Sequence, residues 1–466
     1  MILFIITYII KFLIFFYPLL FYIYHLFLYN ASKSSKGEND TEIKDYPYLS
    51  IIVPIKGEKI EIIKDLIDNI SKLRWDKEKL EIIIVSDDSE EYFNEIKRSI
   101  KIPDNLKVYL YRREEKLGYK SGALLYGYRK SRGDLILTID VDSRLPEDSI
   151  VKLYSKMVKN NCDVITLRWI GYSQNNRSSI AKGLIVLTSF FSKIFFEGKE
   201  KAGLLVLPIG SGTLFKREAL DDVGGWDYKL IQDDLEIGTR LIYKNKKICA
   251  SDIPIYVEVP DNFFSFYVQQ TRWSMGTGEV FRNRLKYIIK SKISFYKKLD
   301  LIFYLFQYTP ILFIFISSIL LVILIPFINY DPLMIHIPLF IIIIILYGII
   351  GIIYIKGIYK IAKELNLDII DILFSLSRIS AFTLSISPFI SYYFLKGLIS
   401  NKKVYIVTPK GGNKIKNSYN ILIIGVFGLI FLISSIIYFL HQYYFSSLWL
   451  FYYSINFIYT NITFNK

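Results

Sequence analysis

Gly133-Asp134-Leu135-Ile136-Leu137-Thr138-Ile139-Asp140-Val141-Asp142 runs from a turn, through a short apolar and β-branched stretch, to two carboxylates one residue apart. A run this short suits a buried strand better than a helix. Alternate residues at a strand end project to the same side, so Asp140 and Asp142 should emerge together beyond its carboxyl end.

Working outward, the same pattern repeats. Short β-branched runs at Leu49–Ile55, Glu81–Val85, Lys107–Tyr111 and Leu135–Ile139 are followed by helical stretches at 58–73, 90–100, 117–131 and 146–160. Repeated strand–helix units of this length predict an α/β domain around a parallel sheet. Ligands of such sheets bind beyond the carboxyl ends of the strands. The polar residues fall at those ends: Lys56 and Glu58 after the first strand, Asp87 and Asp88 after the second, Asp140 and Asp142 after the fourth. Carboxylates gathered in one crevice resist joint ionisation. A divalent cation with a phosphate-bearing ligand would relieve this, and hard oxygen ligands suit Mg2+ or Mn2+.

The rest of the chain is not that of a water-soluble enzyme. Of 466 residues, 52% are hydrophobic, 16% aromatic and only 22% charged, which excludes disorder and puts part of the protein in lipid. The net charge is +15, and 39 of the 43 acidic residues lie between positions 31 and 300. That segment is the water-facing domain. Spanning a bilayer takes about 20 apolar residues, and residues 1–28 meet this with Lys11 as their one charge. The run is longer and more aromatic than a signal peptide and lacks small residues at a cleavage site, so it reads as a retained anchor, giving domain limits of 1–30, 31–300 and 301–466. Further apolar runs at 301–328, 333–355, 419–440 and 443–460 read as crossings.

Lysines bracket the run at 372–399: Lys356, Lys360 and Lys363 before it, then Lys396, Lys402, Lys403, Lys410, Lys414 and Lys416. Excess basic residues mark cytoplasmic loops. Residues 372–399 should therefore begin and end on the same side, interfacial or re-entrant, with Arg378 and Pro388 fitting that account. Five crossings leave the N-terminus outside and the 31–300 domain and C-terminus cytoplasmic, with Asn329–Pro332 as an external turn. Ile180–Phe196 should lie beneath the sheet or at the bilayer surface. Cys162 and Cys249 have neither metal-ligand spacing nor a disulfide framework, which predicts unpaired thiols in a reducing compartment and excludes a structural zinc. The histidines, His25, His336 and His441, all fall in or beside apolar runs, away from the acidic crevice.

Reading on, the domain contains Lys120-Ser121-Gly122-Ala123-Leu124, Gly210-Ser211-Gly212-Thr213-Leu214-Phe215-Lys216-Arg217, Val223-Gly224-Gly225-Trp226-Asp227, Gln232-Asp233-Asp234-Leu235-Glu236 and Gln269-Gln270-Thr271-Arg272-Trp273. In this order and with Asp140-Val141-Asp142, the set resembles the membrane-embedded members of glycosyltransferase family 2, such as the cellulose, hyaluronan and mannan synthases. The resemblance is strongest over about residues 46–290. Val407-Thr408-Pro409-Lys410-x-Gly412 resembles a cytoplasmic loop of the mannan-synthase branch.

The resemblance implies a GT-A-type nucleotide-diphospho-sugar domain fused to transmembrane helices. It also implies roles. Asp87 and Asp88 would read the nucleobase, with Glu58 near the base or ribose. Lys120 would meet the nucleotide or its phosphates. Asp142, helped by Asp140, would hold Mg2+ or Mn2+, and Arg272 would contact the diphosphate. Gln269 and Trp273 would form the acceptor site. Gln232-Asp233-Asp234 replaces the family's Thr-Glu-Asp but keeps its last residue, Asp234, the implied catalytic base.

The chemistry is coherent on its own terms. A departing diphosphate needs positive charge, and the attacking hydroxyl needs a carboxylate to take its proton. Asp234 should open a helix over Leu235–Lys244, where the helix start favours the anion. Trp75, Trp169 and Trp226 read as core. The implied function is an inverting, metal-dependent hexosyltransferase that uses a UDP- or GDP-linked sugar and extends a polysaccharide processively through the cell membrane. Its rivals are a lipid glycosyltransferase resembling ceramide glucosyltransferase and, from another class, a transporter. Crossing segments almost free of ionisable residues argue against the last. The expected partners are the nucleotide sugar, a polysaccharide or lipid acceptor and membrane lipids, but no nucleic acid.

Overall fold

The computed structural model describes residues 2–33, 45–175, 177–400 and 418–464. The loop at 407–412 and the lysines between 402 and 416 lie outside these residues.

Seven strands form one sheet in the order β3-β2-β1-β4-β6-β5-β7: β1 Leu49–Ile55, β2 Leu80–Ser86, β3 Lys107–Arg112, β4 Leu135–Thr138, β5 Val164–Tyr172, β6 Thr213–Lys216 and β7 Ile248–Glu258. The four expected strands pair in parallel. Burial explains their sequences. All seven residues of β2 are buried, and β1 sends Leu49, Ile51, Val53 and Ile55 into one core and Ile52 into another. A strand covered on both faces carries a continuous apolar run rather than an alternating one. The first core packs against helices Ile60–Ser71 and Ser149–Lys159. The second packs against Tyr119–Lys130 and Asp233–Tyr243, around Trp226.

The sheet is not wholly parallel, as the repeating pattern predicts, but mixed. β6 runs antiparallel to both β4 and β5. Its chain arrives at the carboxyl edge of the sheet, where the Gly210 carbonyl meets Lys120, and so enters the strand from that end. Gly212 makes the entry at φ +92°, a region that disfavours a side chain.

The cysteines also depart from expectation: Cys162 and Cys249 form a disulfide. Their 87-residue separation hides the fact that β5 and β7 are parallel neighbours with Ile165 opposite Cys249. Cys162, just before β5, thereby lies 6.1 Å from Cys249 between Cα atoms. An unpaired pair in a reducing compartment is therefore not what the structure contains.

Among the described residues, five helices are long and apolar enough to cross a membrane: Ile2–Ser32, Ser179–Lys201, Thr309–Phe327, Ile337–Glu364 and Asn420–Leu440. Ile337–Glu364 exposes one isoleucine after another, as a lipid-facing helix does. Ser179–Lys201 is half buried in its most apolar window and packs against β5 and the Ile369–Ser385 helix. Tyr444–Thr463, a 20-residue helix, is not among the five.

Residues 369–399 form two helices, Ile369–Ser385 and Ser387–Ile399, bent by 56°. Pro388 stands in the first turn of the second, where a missing N–H costs nothing. Arg378 donates to Ser179 Oγ at 2.8 Å and to the Thr463 carbonyl at 2.9 Å, so protein groups satisfy its charge among apolar neighbours.

Candidate active site

The carboxyl edge of the sheet opens into a cavity of about 830 Å3. Its walls include Glu58, Asp87, Lys120, Asp140, Asp142, Asp234, Gln269, Arg272 and Trp273. The sequence-predicted set is thus brought together with one exception. Asp88 does not line the cavity; it accepts from the Gly57 N–H at 2.6 Å and from Ser86 Oγ at 2.7 Å, fixing the turn that follows β1. Asp87 faces the cavity but holds both Arg113 Nε and Nη2, at 2.7 and 2.6 Å, in a buried bidentate pair. Together these two aspartates brace the loops that follow β1 and β2. Burial pushes the Glu58 carboxyl up to about 7, and the nearby charges of Asp142 and Asp88 add to that.

The Gly210-Ser211-Gly212 motif holds the Asp140-Val141-Asp142 turn. Ser211 Oγ accepts from the Asp140 N–H at 2.9 Å and lies 2.7 Å from Ser143 Oγ. The Ser211 carbonyl receives Trp169 Nε1 at 2.7 Å. Trp169, expected in the core, is a half-buried clamp that also lines the cavity, whereas Trp75 and Trp226 are buried as expected. Tyr172 Oη donates to the Asp142 carbonyl at 2.5 Å. The two carboxylates are thus presented on a turn braced from β5 and from the loop before β6.

Lys120 is the electrostatic hinge of the site. Its ammonium lies 2.7 Å from Asp140 Oδ1, 2.6 Å from the Gly210 carbonyl and 3.8 Å from Asp233 Oδ2. Asp233 and Asp234 open the Asp233–Tyr243 helix. The helix start does not lower the Asp234 carboxyl as expected. Burial and the adjacent Asp233 charge push it up to about 7, against the Leu235 N–H that donates to it at 2.7 Å. Desolvation outweighs the helix terminus here. Asp233 is pushed up too, by burial first, with Lys120 opposing. A carboxyl poised near neutrality suits proton transfer at a reacting oxygen.

Gln269, Arg272 and Trp273 stand at i, i+3 and i+4 on the Phe263–Lys290 helix, so they share one face. Trp273 packs against the core formed by the apolar helices. The helix is locked to the loop that leads into Asp233: Glu279 Oε2 accepts from the Ile231 N–H at 2.7 Å. On its other flank Gly278 and Gly397 let it meet the Ser387–Ile399 helix backbone to backbone. A Cβ at Gly397 would lie 2.3 Å from the Met275 carbonyl.

The sequence reading misses two groups. Arg284 donates to Glu236 Oε1 at 2.8 Å and pairs with Asp227 Oδ2 at 2.5 Å, while Arg240 Nη2 donates to Glu236 Oε2 at 2.7 Å. This buried network ties the Gly224-Gly225-Trp226-Asp227 turn to the helices that carry Asp234 and Arg272. Glu236 and Arg240 at i, i+4 were a local signal; Arg284, 48 residues from Glu236, was not. The second group is the membrane end of the cavity, lined by His25, Leu187, Phe191, Phe195, Tyr304, Tyr308 and residues around them.

Among the described residues, no three His, Cys, Asp or Glu side chains form a closed metal cage. Asp140 and Asp142 supply two hard carboxylates on one braced turn. That suits a hexacoordinate cation which takes one or two carboxylates and completes its shell with phosphate and water.

Comparison with known proteins agrees with this geometry. The family described as "Glycosyl transferase family 2" matches residues 50–224. A Sulfolobus acidocaldarius protein described as "Probable glycosyltransferase" is 55% identical over 97% of both chains. An Arabidopsis thaliana protein described as "Probable glucomannan 4-beta-mannosyltransferase 1" is 23% identical over 65% of this chain, which spans 56% of that longer relative. The fold is shared with the mannosyltransferase PcManGT from Pyrobaculum calidifontis, solved in complex with GDP-Man and Mn2+. The TM-score is 0.55 over 85% of this chain and 99% of that one, at 14% identity. With a GT-A-like mixed sheet and a relative matched along nearly its whole length, the chain belongs to glycosyltransferase family 2, and among its described residues it carries five helices able to span a membrane.

Proposed function

We propose that this glycosyltransferase moves a hexose, mannose in the first instance, from a nucleoside-diphosphate donor to an acceptor hydroxyl with inversion at the anomeric carbon. One observation carries the reading. Asp140, Asp142, Lys120 and Arg272 line the same cavity as the candidate base Asp234, with Trp273 on its wall. The acceptor oxygen attacks the anomeric carbon, the bond from that carbon to the diphosphate breaks, and Asp234 takes the hydroxyl proton. Lys120 and Arg272 meet the negative charge that gathers on the departing diphosphate. Asp140 and Asp142 would hold Mg2+ or Mn2+, which when bound supplies further charge to the diphosphate. Mannose and a GDP-linked donor take support from the plant relatives and from the PcManGT complex.

We assign the catalytic domain to the cytoplasm, where nucleotide sugars are made, and residues 372–399 to an interfacial or re-entrant segment, a reading supported by the 56° bend between the Ile369–Ser385 and Ser387–Ile399 helices. The acceptor of the first reading is a growing polysaccharide. A second reading, a lipid acceptor, draws support from the apolar walls Leu184, Leu187, Phe191, Phe195, Phe266 and Ile311. Incubating the membrane fraction with labelled GDP-mannose, UDP-glucose and UDP-N-acetylglucosamine, each with Mg2+ or Mn2+, tests both. Products of many lengths support the polymer. A single sugar on an organic-extractable lipid at every donor concentration supports the lipid acceptor. No transfer from any donor contradicts the proposal.

A further inference from the structure

Behind the membrane end of the cavity lies an ion pair that the transfer chemistry does not use. Lys199 ends the Ser179–Lys201 helix and is paired with Asp300 at 2.9 Å, both side chains only 3% exposed. Tyr24 of the N-terminal helix donates to the other Asp300 oxygen at 2.5 Å. The Lys199 ammonium also sits 4.5 Å from the centre of the Tyr304 ring. Three segments far apart in sequence, Ile2–Ser32, Ser179–Lys201 and Phe295–Leu305, therefore meet at one buried ion pair.

Burying two charges in apolar surroundings is costly, and apolar residues of the same size often hold a fold as well or better. The position of the pair gives it a task. None of Tyr24, Lys199 and Asp300 lines the cavity, but their neighbours His25, Phe195 and Tyr304 all do. Phe195 meets the Tyr304 ring edge to face at 5.2 Å, and His25 meets Phe195 at 5.2 Å. Tyr304 lines the same cavity as Asp234. Nearby, Tyr308 donates to Gln270 at 3.3 Å, and Gln307 lines the same wall. Aromatic faces interleaved with amides and phenols suit a sugar ring, which offers both C–H faces and hydroxyls.

We propose that Tyr304 is an acceptor-binding residue, receiving the acceptor's terminal sugar opposite Asp234, and that the Lys199–Asp300 pair is the positioning device that fixes its ring. This rests on the glycosyl-transfer reading. The cation behind one face of Tyr304 restricts its rotamer and keeps the other side available to the ligand.

The test uses the full-length protein in detergent with octyl mannoside as acceptor and whichever of GDP-mannose or UDP-glucose the parent hydrolyses. The triple variant Tyr24→Phe, Lys199→Met, Asp300→Leu removes the pair without orphaning a buried polar group, and Lys199→Arg keeps a cation in place. The triple variant should melt near the parent and hydrolyse donor at the parent's rate. Its KM for octyl mannoside should rise about tenfold, as should that of Tyr304→Ala, while Lys199→Arg stays within about threefold. A parent-like acceptor KM in the triple variant overturns the proposal. So does a triple variant whose melting temperature and donor hydrolysis fall together, since the pair is then a structural staple alone. A parent that hydrolyses no nucleotide sugar overturns the underlying transfer reading instead, and this inference with it.

Discussion

The two ends of the cavity are built differently. The sheet end draws Glu58, Asp87, Asp140 and Asp142 from the first few residues after β1, β2 and β4, so strand register alone delivers them to one edge. The membrane end draws His25, Phe195, Trp273, Tyr304 and Ile379 from separate helices, and side-chain packing and ion pairs must hold them. A site set by register is rigid and tolerant of change elsewhere. A site set by helix packing can be retuned without disturbing the donor chemistry. The protein should therefore lose donor handling and acceptor handling through different substitutions.

Asp234→Asn should break this division most sharply. The amide keeps the shape but cannot accept a proton, so transfer should fall about a thousandfold while donor affinity, measured by titration calorimetry, stays within about twofold. Turnover within a few-fold of the parent would move the base to another residue. Next in size is Asp142→Asn, which should weaken metal-dependent donor binding about 10- to 100-fold and leave metal-free nucleotide binding close to the parent. Equal affinity of parent and variant across a Mn2+ titration would remove Asp142 from the metal site.

The pH profile follows from the same burial. A base acts in its ionised form, and the Asp234 carboxyl is held up at about 7. Activity should rise with pH through about 7 and fall about tenfold for each unit below it. A profile flat from pH 5 to 8 would mean that the bound donor has returned Asp234 to the ordinary carboxylate range.

The same division decides what could be read from the sequence. The four parallel strands and the carboxylates at their ends were legible because each is a local pattern with a fixed period, whereas Gln269-x-x-Arg272-Trp273 was singled out by the family resemblance. β6 was not legible, because its direction depends on where the preceding loop re-enters the sheet. The surroundings of Asp88 were not legible either: sequence shows that it follows a strand, not that the Gly57 N–H and Ser86 Oγ will each donate to it. The disulfide, the Glu236–Arg284 network and the Lys199–Asp300 pair each join residues dozens of positions apart. No periodicity announces such contacts. The Asp234 carboxyl was misjudged in direction, since a helix start is visible in sequence and burial beneath the Phe263–Lys290 helix is not.

The central claim is that donor and acceptor chemistry occupy separable halves of one cavity, with Trp273 in the acceptor half. The decisive measurement is Trp273→Ala, with sugar transfer and acceptor-free release of nucleoside diphosphate followed in parallel on the same preparation. The division predicts that transfer falls at least about tenfold while diphosphate release stays within about twofold of the parent. Equal loss of both activities, with Mn2+-dependent donor binding also gone, would contradict it and make Trp273, like Arg272, part of the donor half.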